Sequence, residues 1–163
     1  MKKIVFTLLA LILAGCATAP RQYQFDNSQS FDASMDEIWP EIIEFFAENN
    51  LSISTLERNS GLVAVDNLRL HILEFDRYAD CQGMQGSLLE VVADDNRTDL
   101  NVFVRERSTD GTTMTVNTRF QVFIEGTWLS SGGWQSCVSK GTLENAIFEQ
   151  IATNINLPTV NLE

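Results

Sequence analysis

Leu100-Asn101-Val102-Phe103-Val104-Arg105-Glu106-Arg107-Ser108-Thr109-Asp110-Gly111-Thr112-Thr113-Met114-Thr115-Val116-Asn117-Thr118-Arg119-Phe120-Gln121-Val122-Phe123-Ile124 is the stretch that decides the fold. Leu100, Val102 and Val104 alternate with Asn101, Phe103 and Arg105. Past the Thr109-Asp110-Gly111 loop, Met114, Val116, Thr118, Phe120, Val122 and Ile124 alternate with Thr115, Asn117, Arg119 and Gln121. A period of two sends one set into a core and the other to the opposite face. A three-residue loop with glycine at its left-handed position is a favoured hairpin closure. The expected register pairs Ser108 with Thr112, Val104 with Val116, Val102 with Thr118 and Leu100 with Phe120, so inward residues meet inward residues.

Outward from this hairpin the pattern changes period. Ser34-Met35-Asp36-Glu37 has the S-x-x-E form of a capping box, and Ile38, Ile42, Phe45 and Phe46 follow at helical spacing. Pro40 interrupts: the helix starts at Ser34 and loses a hydrogen bond, starts nearer Asp36, or bends. Leu51 to Arg58 alternates, Asn59-Ser60-Gly61 turns, and Leu62 to Val65 returns, which predicts a second hairpin. Asp66 to Tyr78 is ambiguous, with Leu70 to Phe75 a candidate strand. Ala79 to Gly86 reads as loop and Leu88 to Ala93 as a short strand. Gly126 to Gly133 reads as a loop. A last helix, capped by Thr142 or Ser139, carries the stripe Leu143, Ala146, Ile147, Ile151 and Ile155 before Leu157-Pro158 ends it. Strands bounded by an N-terminal and a C-terminal helix predict an α+β domain: an antiparallel sheet with both helices on one face.

The chain has 163 residues, 44% hydrophobic and 20% charged, which fits one globular domain and argues against a disordered acidic tail or a two-domain enzyme. Eleven basic against 22 acidic residues give a net −11, the wrong sign for a nucleic-acid binder.

Met1-Lys2-Lys3 followed by the apolar run Ile4 to Ala14 has the form of a secretory signal, too short to span a bilayer, which takes about 20 residues. Leu13-Ala14-Gly15-Cys16 resembles the lipobox of bacterial lipoproteins. That resemblance implies cleavage before Cys16, a diacylglyceryl group on its thiol and an acyl chain on its new amine. It calls for no other cofactor. Ala17, rather than Asp, after the cysteine implies the outer membrane by that family's sorting rule. Each buried CH₂ contributes about 0.8 kcal/mol, and more than one chain makes attachment stable. Loss of Lys2 and Lys3 leaves nine basic against 22 acidic residues, a net −13. An acidic body stands off from anionic headgroups.

The expected organisation is a signal over 1–15, a lipidated tether over 16–30, one domain over 31–158 and a tail over 159–163. The tether reaches about 3.3 Å per residue when extended, so the domain stays near the leaflet. Tyr23 and Phe25, alternating with polar residues, are candidates to begin a first strand. Cys81 and Cys137 remain after Cys16 is assigned. In an oxidising compartment they allow a single pairing, the alternative being two free buried thiols.

Ser34 to Asp66 resembles a repeated feature of BamC-like outer-membrane lipoproteins, on Trp39, the Ile42/Phe46 stripe and Arg58-Asn59-Ser60-Gly61-Leu62-Val63. The resemblance covers about a fifth of the chain and implies a helix-grip domain, helices on a curved antiparallel sheet. That family has two such domains and a long docking segment. This chain has room for one domain and its tether is short, so the family's partner does not carry over. Cys137 to Glu144, with Ala79-Asp80-Cys81, is also similar to proteobacterial lipoproteins.

Catalytic material is sparse: one histidine, no G-x-S-x-G elbow and no H-E-x-x-H motif. His71 reads as a surface or packing residue. Asp94-Asp95-Asn96 has the beginning of a calcium loop, but Asp99 stands where an EF-hand needs glycine and Arg105 where it needs glutamate, so no metal is expected. The candidate binding face is Phe103, Arg105, Arg107 and Arg119 on the outward side of the hairpin, with Trp128 and Trp134 beside a Gly/Ser loop. Arginine and aromatics are enriched at interfaces. The plain alternatives are a solvated strand face and tryptophans that cover a sheet end. The expected partners are outer-membrane lipid, through the acyl chains, and an envelope protein. The expected role is a non-catalytic protein-binding module in envelope assembly or maintenance. A second reading is a small amphiphile held between helices and sheet, which needs an apolar cavity there.

Overall fold

The alternating stretch forms the two longest strands of the computed structural model, which describes residues 21–81, 95–126 and 131–156. In chain order the strands are β1 (Ser28–Phe31), β2 (Thr55–Glu57), β3 (Leu62–Leu68), β4 (Ala79–Asp80), β5 (Asn96–Glu106), β6 (Thr112–Ile124) and β7 (Gly133–Ser139). The helices are α1 (Met35–Glu48), α2 (Ile72–Tyr78) and α3 (Thr142–Asn156). The strands form one antiparallel sheet ordered β2-β3-β5-β6-β7-β4. Strand β1 also pairs with β6, at Thr112 to Thr115, while β7 pairs with its far end, Phe120 to Ile124. Because β5 occupies the other edge of β6 from Thr112 to Val122, β1 and β7 share the remaining edge in tandem.

The hairpin register differs from the expected one by two residues. Val102 faces Val116, Leu100 faces Thr118 and Thr98 faces Phe120. The loop closes one step earlier, with the Arg107 N–H donating to the Gly111 carbonyl at 2.9 Å. Both Asp110 (φ 80°) and Gly111 (φ 81°) are left-handed, and the Asp110 carboxylate accepts the Gly111 N–H at 3.0 Å. A slip of two keeps every side chain on its face, so the core composition is unchanged.

Helix α1 begins at Ser34 with both halves of the capping box, Ser34 Oγ accepting from Glu37 N and Glu37 Oε2 accepting from Ser34 N. These bonds, backbone first, hold the Glu37 carboxyl below the usual carboxylate range. The helix runs through Pro40, which is exposed and, having no N–H, cannot donate to the carbonyl of Asp36, itself an exposed residue. Ile38, Ile42, Phe45 and Phe46 of α1 and Ile147, Phe148 and Ile151 of α3 pack on Val63, Val65, Leu100, Val102, Val104, Met114 and Val116. Ala146 is exposed and Phe148 is buried, so the α3 stripe is rotated from the one expected. Glu144 also lies inside, 1% exposed, with Oε1 accepting from Thr118 Oγ1 and Ser139 Oγ.

Three elements depart from the expectation. Residues 72–78 are helical, not extended: His71 caps the turn by accepting the Leu73 N–H at Nδ1, and Phe75 packs edge-to-face on Phe120. Ala79–Asp80 is a short strand on β7 rather than loop. Gly133–Ser139 is a strand where no strand was expected. The strand expected at 88–93 lies outside the described residues. Cys81 and Cys137 form a disulfide beside the small core of Phe75, Ala79, Phe120 and Val122. No helix among the described residues is long and apolar enough to cross a membrane.

Residues 21–27 lie against the body. The Tyr23 hydroxyl donates to Asp80 at 2.8 Å, with Arg21 beside the same carboxylate. The Phe25 ring sits over Gly141, and the Asn27 carbonyl accepts the Val116 N–H.

Candidate docking face on the sheet

The helices share the face made by the even-numbered residues of β5 and β6. The opposite face carries the odd-numbered ones, and its side chains divide into two patches separated by an ion pair. In the first patch Phe103 faces Thr115 and Arg105 faces Thr113 across the β5–β6 ladder. With Asn117 these side chains line a groove of about 380 Å³. Strand β1 borders it: Ser28 Oγ and Thr115 Oγ1 are 2.9 Å apart, and Asn27 Nδ2 donates to Asn117 Oδ1 at 2.9 Å.

In the second patch Trp134 is 40% exposed and meets Phe123 edge-to-face. The Arg97 guanidinium stands 4.2 Å from the Trp134 ring centre and donates to Gln121 at 2.9 Å. A cation over an indole face is a favourable contact of about 0.5–1 kcal/mol at exposed sites.

Between the patches Arg119 Nε donates to Asp99 Oδ2 at 2.9 Å, and Asp99 Oδ1 accepts the Asn67 N–H at 3.0 Å. Burial works to raise the Asp99 pKa. The Asn67 N–H and Arg119 guanidinium, with Arg97 nearby, outweigh it and hold the carboxyl below its ordinary value. Asn67 sits in the bulge between Val65 and Leu68 with φ 54°, so a local irregularity of β3 supplies the donor.

The sequence-predicted face is therefore not one cluster. Phe103 and Arg105 share the groove, and Trp134 belongs to the second patch. Arg119 is committed to Asp99. Arg107 is turned toward the end of β1, where it bonds Asp32 at 2.9 Å and the Phe31 carbonyl. Trp128 and Cys16 lie outside the described residues. Thr113, Arg97 and Phe123 were not singled out from sequence. The period-two pattern places all three on this face, but only the register shows what each opposes.

Other candidate chemistry is occupied by structure. His71 is a helix cap. Asn96 is buried and bridges the Leu70 backbone, its Oδ1 accepting from N and its Nδ2 donating to O. Among the described residues no group of three or more His, Cys, Asp or Glu side chains is placed to hold a metal. The chain matches no family model and no curated protein sequence.

Proposed function

We propose that this chain is a non-catalytic periplasmic module, held at the outer membrane by lipid on Cys16, that binds a protein partner in envelope assembly or maintenance. The observation that carries the reading is the two-sidedness of the sheet. One face is closed by α1 and α3; the other offers an aromatic-lined groove and the Phe123/Trp134 patch. Aromatic and arginine side chains on a rigid sheet are the usual anchors of protein interfaces. The helix–sheet interface is filled by Ile38, Ile42, Phe46 and Ile151, each no more than 1% exposed, which favours docking on the outer face over a ligand beneath the helices.

The test is photo-crosslinking in intact cells from a benzoylphenylalanine placed at Phe103 or at Trp134, followed by affinity capture. The expected result is one defined envelope protein from these positions and none from a control position on the exposed side of α1, such as Glu44. Absence of any protein adduct from either patch overturns the reading.

A further inference from the structure

We infer that the Phe103–Arg105 groove takes a carboxylate side chain from an acidic stretch of the protein partner, an inference that rests on the docking role proposed above. Arg21, Arg58, Arg69, Arg107, Arg119 and Lys140 each face a carboxylate, and Arg97 and Arg77 lie over aromatic rings. Arg105 is the remaining cation among the described residues, and it has neither an ion pair nor a hydrogen bond there. In a chain with 22 acidic residues, a guanidinium without a carboxylate partner is an exception among the described cations.

Its neighbours extend the same chemistry. The Thr113 hydroxyl opposite Arg105 bonds no described group. Asn117 also lines the groove, its Oδ1 accepting from Asn27. Among the described residues no Asp or Glu lines the groove. The side chains thus present donors around one apolar ring. Guanidinium and carboxylate match as a two-pronged, charge-assisted pair. The Phe103 ring covers the methylene stem that a glutamate or aspartate brings with it. An anion approaching elsewhere meets a surface of net −13 once Lys2 and Lys3 are removed, so Arg105 fixes register and selects against other docking poses.

The test uses full-length protein extracted from membranes with its native N-terminus and a dye-labelled decapeptide of alternating Glu and Ala, read by fluorescence anisotropy. The matched Gln/Ala peptide is expected to bind at least tenfold more weakly. Arg105→Gln is expected to lower Glu-peptide affinity at least tenfold, whereas Arg77→Gln, on helix α2 over the Tyr78 ring and away from this face, changes it less than twofold. Circular dichroism confirms that both variants fold. Equal binding of the two peptides, or unchanged binding by Arg105→Gln, overturns the inference. So does displacement by glucuronate or inorganic phosphate at concentrations where free glutamate fails, which reassigns the groove to a sugar acid or a phosphate. The crosslink from Phe103 separates the two levels. An adduct that persists in Arg105→Gln cells refutes the groove while the docking role stands. Arg105-dependent peptide binding with no adduct in cells refutes the docking role while the groove stands.

Discussion

At the scale of single residues, two positions carry loads that can be weighed. Gly61 (φ 68°) ends the β2–β3 turn, and its carbonyl accepts the Val104 N–H at 2.8 Å. A Cβ there would lie 1.9 Å from the Val104 carbonyl oxygen, a backbone atom that cannot yield without breaking the ladder. Gly61→Ala is expected to cost more than the ~1 kcal/mol of an incompatible left-handed site alone. A denaturant titration in which this variant loses less than that contradicts the turn geometry. Asp99 makes the second case. Its folded pKa is depressed, so the unfolded chain binds more protons in acid. The stability it contributes is complete above the ordinary aspartate value of about 3.9 and is lost as pH falls through the lower folded value. Asp99→Asn is therefore expected to be less stable at neutral pH and to lose less stability on acidification than the parent. Parallel stability-against-pH curves for the two proteins would contradict the Asn67–Asp99–Arg119 assignment.

At the scale of elements, the long alternations and the capped helix were legible because nothing interrupts their period. β5, β6, α1 and the Arg58–Gly61 turn all appear from sequence alone. The register was not legible, because inward–outward alternation penalises a slip of one and is blind to a slip of two. What settles it is the second left-handed residue, Asp110, which no local rule demanded. Strand β7 escaped because Gly133-Trp134-Gln135-Ser136 has no buried residue and little apolar alternation, so pairing with β6 defines it. Helix α2 escaped because it has seven residues and a histidine cap, while Leu70 to Phe75 reads equally well as a strand. The candidate site was legible as a face and not as a site. Asp32, Asp99 and Asn27, which decide whether Arg107, Arg119 and Asn117 are committed, lie 75, 20 and 90 residues away from them. The disulfide belongs to this scale as well. It ties β4 to β7 and closes a 56-residue separation, which in the chain-entropy account stabilises by about 4 kcal/mol. Reduction, or the Cys81→Ser/Cys137→Ser double variant, is expected to lower unfolding stability by roughly that amount. A loss well under about 1 kcal/mol would show that the unfolded chain is not restrained as that account requires.

At the scale of the whole molecule, the contacts of residues 21–27 set where the body sits. Tyr23 and Arg21 on Asp80, and Phe25 on Gly141, lay this segment along the β4–β7 side of the sheet. With lipid on Cys16, the span left between anchor and Arg21 is five residues, about 17 Å at 3.3 Å each. On the proposed anchoring, the acidic charge would keep the body off anionic headgroups, with Arg105 a local exception. All of this depends on the modification of a single thiol. The direct measurement is intact-mass and tandem mass spectrometry of the native protein from the membrane fraction. The account predicts that residues 1–15 are gone and that Cys16 is the N-terminal residue, bearing a diacylglyceryl group and an acyl chain. A retained leader, or a Cys16 with a free thiol and free amine, would contradict it.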